Sequence, residues 1–383
     1  MDNLTHSLVG LTAAKAGLDK LSPGATTLCV LAANSPDADI LVLILRGRWA
    51  FLQHHRGITH SIVGAALLAL ALPLVFYFGD RIIAQIKKRE PRVRLKGLLV
   101  ASILATATHP FLDWTNNYGI RFLLPWNPRW FYGDFAFVID PFFWIVLGGA
   151  AFLLTSKTRT RVTIWVVITL VPSYLVLGGS SRAGSVADEM LLRLLWIGAL
   201  IILVTLYRRK IGERRGAKIA IAALATVTIY CAGLFGAHAL ALRQARVQAL
   251  AIANSHGEQI LKLAAMPTVA NPTEWLCVVE TDRATYKFSQ SLLRESPRSA
   301  DPIRFEKLSG SGAEAIAEAA RDERAQVFLG FARFPTVEVA GTDCATQTLV
   351  QFADLRYTEP GKGRGTFSLD VPVECPALDK PDK

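Results

Sequence analysis

The sequence predicts an α-helical polytopic membrane protein with about seven or eight transmembrane or membrane-embedded helices, followed by a C-terminal α+β extracytoplasmic domain. Three observations carry this expectation. First, 51% of the 383 residues are hydrophobic and the mean hydropathy is positive, with apolar residues in long blocks rather than an even scatter. Second, the net charge of +11 comes largely from Lys/Arg clusters between those blocks, in "RIIAQIKKREPRVRLK", "SKTRTR" and "YRRKIGERRGAK". That is the bias of cytoplasmic loops, and it argues against nucleic acid as a partner. Third, no long apolar run remains beyond about residue 241.

A helix needs about 20 apolar residues to cross the hydrocarbon core. In chain order, 4–18 and 25–46 are the weakest candidates: the first is short, and the second contains Asp37 and Asp39. They predict a helical hairpin that spans or partly enters the bilayer, turning at Pro23 and Gly24 in "LDKLSPG". Six clearer spans follow at about 58–79, 97–113, 135–154, 162–180, 188–206 and 218–240. The N-terminus "MDNLTHSLVG" has neither a basic n-region nor a small-residue cleavage site, so no cleaved leader is expected.

If the basic loops 80–96, 155–161 and 207–217 are cytoplasmic, the last span leads outward. Residues 47–57, 114–134 and everything after about 241 then lie on the outer side. Three parts are expected: membrane-embedded helices carrying the chemistry over 1–154, further transmembrane helices over 155–240, and the extracytoplasmic domain over 241–383. In that domain a helical stretch, "LRQARVQALAIANSHGEQILKLAA", precedes strand-like runs "EWLCVVE", "TYKFS", "AQVFLGFARF", "TVEVA", "LVQFADLRY" and "GTFSLDVPV", with a polar helix around 312–324. The five cysteines have no CxxC spacing, so a thiolate zinc site is not expected. Cys29 and Cys231 read as buried apolar residues, and a pair among Cys277, Cys344 and Cys375 can form a disulfide in an oxidising compartment.

Five of the seven histidines fall in the first 109 residues: His6, His54, His55, His60 and His109. The same region places Asp37 and Asp39 in "NSPDADILVLI" and Asp113 in "HPFLDW". Charged groups at membrane depth are costly, so each marks a functional candidate. Imidazole and carboxylate together are ligands for zinc, manganese or iron, whose charge offsets the desolvation. His109 and Asp113, four apart on a predicted helix, share one face. Pro36 provides a break that turns Asp37 and Asp39 toward a shared site, while His54 and His55 lie on the loop before the helix that His60 begins. The predicted metal ligands are His6, Asp37, Asp39, His54, His60, His109 and Asp113. Seven ligands exceed what one catalytic ion uses, which makes two ions reasonable. The topology brings His6, His60, His109 and Asp113 to one depth near the outer face.

Each residue also has a simpler reading. His6 can be a hydrogen-bonded helix-start residue and Asp37 a helix cap; Asp39 can pair with Arg46 or Arg48; His109 before Pro110 can mark a helix break. His55, adjacent to a ligand, is expected as an acid–base group or as a partner orienting a ligand. Arg56 suits an anionic substrate group held in a bidentate fork, against a snorkelling surface arginine. The aromatic run "WTNNYGIRFLLPWNPRWFYGDF" reads as an interfacial belt more than a substrate lid, although Asn116, Asn117 and Arg121 can line a pocket. Asp140 before Pro141 reads as a helix cap. GxSxG, P-loop and HExxH motifs are absent, and "SSRAGS" at 180–185 lacks phosphate-binding spacing.

The stretches "THSLVG", "NSPDADIL", "HHRGITHS", "HPFLDWTNNYG" and "WFYGDFAFVIDP" resemble the membrane-bound metal-dependent hydrolase family, the YbcI/YdjM-like bacterial inner-membrane proteins. The resemblance covers about residues 1–150 and is weaker beyond; the tail, with "NPTEWLCVVETD" and "ADLRY", looks like the extracytoplasmic extension of longer members. It implies a bacterial inner-membrane protein with a metal-dependent hydrolase site at His6, Asp37, Asp39, His54, His60, His109 and Asp113.

The expected function is therefore hydrolysis. A divalent ion, zinc or manganese foremost, would lower the pKa of a bound water and polarise the bond attacked. The expected substrate is a membrane lipid or lipid-linked phosphoester arriving laterally from the bilayer. A transporter or proton relay using the same intramembrane Asp and His residues is the main rival. A membrane assembly or regulatory protein with a structural metal is the third reading.

Overall fold

The computed structural model describes residues 1–178, 186–293, 302–307, 311–340, 347–362 and 365–374. The chain forms two compact units. One comprises Met1–Ala38, Arg56–His238 and Pro267–Glu274; the other comprises Asp39–His55, Ala239–Met266 and Trp275–Lys383.

In the first unit, Asp2 starts α1 (Asn3–Lys15) by accepting a hydrogen bond from the Thr5 amide at 3.0 Å. The turn at Pro23 and Gly24 leads into α2 (Ala25–Asn34), which ends at a 3₁₀ turn over Ser35–Asp39 containing Pro36. A Cβ added at Gly10 would lie 2.5 Å from the Cys29 carbonyl oxygen, so glycine is what lets α1 and α2 approach so closely. The chain next forms α3 (Ile40–His54), which belongs to the second unit.

Returning to the first unit, Ser61 caps α4 (Ile62–Ile86) by accepting from the Gly64 amide at 3.1 Å. Small residues let α5 (Leu95–Trp114) pack on α2: Ala101 and Ala105 meet Cys29 and Ala32 in one buried cluster. Asp140 caps α6 (Pro141–Thr155) by accepting from the Phe142 amide at 2.8 Å, with proline at the first helical position, the role the sequence predicts for it. Then follow α7 (Arg159–Gly178), α8 (Val186–Arg208), the short α9 (Ile211–Arg215) and α10 (Ala217–His256). Leu8, Leu112, Phe143, Leu147, Trp196 and Val227 form the unit's main core.

Among the described residues six helical stretches are long and apolar enough to cross a membrane: Ala25–His54, Ile62–Ile86, Leu95–Trp114, Arg159–Gly178, Glu189–Arg208 and Ala217–His256. Pro141–Thr155 is apolar but shorter. Large apolar side chains such as Leu67, Val75, Val171, Leu194 and Ile201 point outward, as they do where lipid is the solvent. The helical membrane class and the count of spans agree closely with the sequence reading. The span candidate over 25–46 is broken at Ser35–Asp39, the break the sequence places at Pro36.

The second unit carries most of two sheets, in which the pairs β3–β4, β5–β6 and β6–β7 are antiparallel. One has the order β1 (Ile260–Thr268), β2 (Asn271–Thr281), β3 (Ala284–Ser291), β4 (Ile303–Glu306), and the other β5 (Pro335–Ala340), β6 (Gln347–Asp354), β7 (Ser368–Glu374). The helices α11 (Ser311–Ala319) and α12 (Glu323–Phe331) accompany them. Ala325, Phe328, Val350, Phe352, Leu369 and Val371 form a core on which Trp49 of α3 packs.

Two expectations change here. The run "AQVFLGFARF" supplies α12 rather than a strand: Asp322 caps it, and Ala325 and Phe328, three apart, share the buried face. The helix expected through residue 265 stops at His256, where Gly257 with φ 63° turns the chain into β1. Cys29, Cys231 and Cys277 are free thiols. Cys344, Cys375 and the "SSRAGS" segment lie outside the described residues.

Candidate metal centre

Four elements of the first unit bring the charged groups together. Asp37 sits on the 3₁₀ turn that ends α2, and His60 on a second such turn over Ile58–His60, before α4. His109 and Asp113 lie one turn apart near the end of α5, as their spacing predicts. Each can offer one ligand atom, and the four atoms lie within 4.8 Å of one another, with all but the half-buried Asp37 buried. Asp37, His60, His109 and Asp113 thus form a group able to hold a metal ion.

The hydrogen-bond geometry tests that fit. His109 Nδ1 donates to the Ala33 carbonyl oxygen at 2.6 Å, and a carbonyl can only accept. In the neutral ring Nε2 therefore carries the lone pair. It lies 3.2 Å from His60 Nε2, 3.3 Å from Asp113 Oδ2 and 3.5 Å from Asp37 Oδ1. His60 Nε2 in turn lies 3.2 Å from Asp37 Oδ1 and 3.4 Å from Asp113 Oδ2. Asp113 Oδ2 is buried without a hydrogen-bond partner among the described residues. With His60 Nε2 also unprotonated, the two ring lone pairs face each other and repel unless positive charge lies between them. One divalent cation satisfies all four atoms at once, and an imidazole oriented through its other nitrogen is the usual arrangement of a histidine ligand.

His6 stacks on His109, with ring centroids 3.8 Å apart and planes 16° apart. Its Nε2 lies 3.3 Å from Asp113 Oδ1, and neither ring nitrogen makes a hydrogen bond among the described residues. It adjoins the group as a fifth potential ligand, itself buried. The Met1 α-ammonium also contacts Asp113 Oδ1.

Of the other predicted residues, Asp39, His54 and His55 belong to the second unit and Arg56 to the first. His54 is exposed at the end of α3 and is not brought into this group. Asp39 and His55 belong to the second unit, where His55 Nδ1 lies 3.1 and 3.2 Å from the two Asp39 oxygens and its ring stacks on Phe51. The alternative of an Asp39 pair with Arg46 or Arg48 thus gives way to a pair with His55. Arg56 is buried, with its NH2 nitrogen 3.0 Å from Asp113 Oδ1. Asn116, considered as a pocket liner, accepts a hydrogen bond from Arg56 at 2.9 Å. The sequence reading missed the Ala33 carbonyl. The available signal was its place in the last turn of α2, where carbonyls lose their intrahelical partners.

Apolar spanning helices around a buried histidine–carboxylate group define a membrane-embedded protein with a candidate metal centre. Residues 1–184, which carry the whole group, match the YdjM inner membrane protein family. A curated relative, the uncharacterized protein YfhP of Bacillus subtilis, is 28% identical over 155 residues, or 38% of this chain. The match spans 43% of that relative's length. No solved structure matches the chain.

Proposed function

We propose that the first unit is a metal-dependent hydrolase of the bacterial inner membrane, acting on a lipid or lipid-linked phosphoester near the outer face. The carrying observation is the convergence of Asp37, His60, His109 and Asp113, with the two imidazole Nε2 atoms 3.2 Å apart at its middle. Mixed nitrogen and oxygen donors suit zinc or manganese. When bound, such an ion supplies Lewis acidity and an activated water at neutral pH. The chain's own part is to fix that ion: Ala33 orients His109, α5 sets Asp113 one turn away, and the 3₁₀ turns present Asp37 and His60. The reading uses residues of the first unit alone. The membrane location and the resemblance of the quoted motifs to a hydrolase family support it, and the basic-loop bias supports an extracytoplasmic C-terminal domain.

The test is elemental analysis of the purified protein followed by a chelator-sensitive screen of lipid phosphoesters in detergent micelles. Stoichiometric metal, and hydrolysis that stops with chelator and returns with zinc or manganese, is the expected result. A metal-free protein whose only activity requires an ion gradient across a sealed membrane overturns it in favour of a transporter.

A further inference from the structure

Asp113 turns its two oxygens toward different neighbours. Oδ2 lies 3.3 Å from His109 Nε2 and 3.4 Å from His60 Nε2 and makes no hydrogen bond among the described residues. Oδ1 lies 3.0 Å from the Arg56 NH2 nitrogen and 3.3 Å from His6 Nε2, and it also meets the Met1 α-ammonium. The same guanidinium donates through NH1 to the Asp113 carbonyl at 3.1 Å, Asn116 Oδ1 at 2.9 Å and the Gly119 carbonyl at 3.2 Å. Its carbon lies 4.6 Å above the centre of the Tyr118 ring. Arg56 adopts φ 52°, a left-handed backbone rare for a residue with a side chain, so the surrounding structure enforces this placement.

We propose that Arg56 is a positioning residue that makes Asp113 a one-oxygen ligand, holding Oδ1 back so that Oδ2 alone faces the ion. The inference rests on the metal-centre reading above. A free carboxylate beside a divalent ion can chelate it through both oxygens. Here one oxygen is engaged by a planar fork that is itself anchored on the backbone of residue 113 and on the turn after α5. A lysine would keep the charge but lacks the fork that reaches Oδ1 and the carbonyls together. The arrangement leaves a coordination position for water or substrate that a chelating Asp113 would fill.

The experiment uses full-length protein in detergent, titrated with Co(II). Infrared difference spectra of Co(II)-loaded minus metal-free wild type, referenced to Asp113→Asn, should give the carboxylate splitting of a one-oxygen ligand. Arg56→Lys should bind Co(II) about 10- to 100-fold more weakly, with weaker visible d–d absorption as the coordination number rises. Asn116→Ala, which leaves the Arg56–Asp113 contact, should keep the wild-type spectrum; a purely structural role for Arg56 predicts the same spectral change in both variants. A two-oxygen splitting in wild type, or Arg56→Lys with wild-type affinity and spectrum, overturns the proposal while leaving the metal centre standing. Wild type that binds no Co(II) overturns the metal centre itself. Should Arg56→Lys fail to fold, the wild-type infrared spectrum still decides.

Discussion

Both units bury charge, and they treat it in opposite ways. In the second unit the Asp354 carboxylate accepts from Arg356 at 2.6 and 2.9 Å and from the Arg333 and Arg356 amides, while the Arg356 guanidinium stacks on Phe331. Glu258 is likewise matched, accepting from Thr281 at 2.7 Å, Tyr286 at 3.0 Å and Arg304 at 3.0 Å. In the first unit the ligand atoms of His60, His109, Asp37 and Asp113 crowd within 4.8 Å of one another, and Asp113 Oδ2 has no hydrogen bond among the described residues. A network that satisfies itself holds a fold together. One whose ligand atoms converge without satisfying each other can hold a cation.

The sharpest way to break the contrast is to remove one partner from each unit. Asp354→Ala strands the Arg356 charge in a dry site and should destabilise the second unit by about 3–5 kcal/mol. Hydrogen exchange of the β5–β7 amides reads that loss, and metal binding by the first unit should not change. His109→Ala and Asp113→Ala should each weaken metal binding at least 100-fold, about 2.7 kcal/mol at roughly 1.4 kcal/mol per tenfold, while the protein still inserts. Full metal retention in both variants would sink the centre. Stripping the wild type with chelator should lower protection in the first unit and leave the second unchanged.

Glu258 gives a smaller effect with a definite sign. Burial works to raise its pKa, but the hydrogen bonds from Thr281, Arg304 and Tyr286 outweigh it and hold the carboxyl below its usual value. The stability this contributes is complete above the ordinary glutamate pKa of about 4.3 and is lost as pH falls through the lower folded value. Protection of the β1–β4 amides should fall on acidification in that range, and Glu258→Gln should flatten the dependence. The smallest effect is expected at exposed His54: His54→Ala should change stability by less than about 0.5 kcal/mol and leave metal affinity intact. A large loss there would return His54 to the ligand set.

Much of this was legible in the sequence. The spans followed from run length because a helix must satisfy its own backbone in lipid. The pairing of His109 with Asp113 followed from their four-residue spacing, a local property of any helix. The cap expected at Asp140 is equally local, as are the cap at Asp2 and the stop at Gly257, neither of which the sequence reading names. The run that became α12 misled because a short apolar segment fits strand and helix alike, and only packing of Ala325 and Phe328 against β6 and β7 residues decides between them.

By itself, then, the sequence determined the membrane class, the polar character of the C-terminal part and the inventory of histidines and carboxylates. Tertiary structure decided which members of that inventory meet. His60 reaches Asp37 across 23 residues and His109 across 49, distances at which no periodicity links one position to another. It also buried His60 while leaving His54 exposed, and it set Arg56 against Asp113. The reason is physical: local spacing fixes which side chains share a helix face, whereas ligand geometry depends on how faces from distant segments pack, and residues such as Gly10 set that approach without carrying any chemistry themselves.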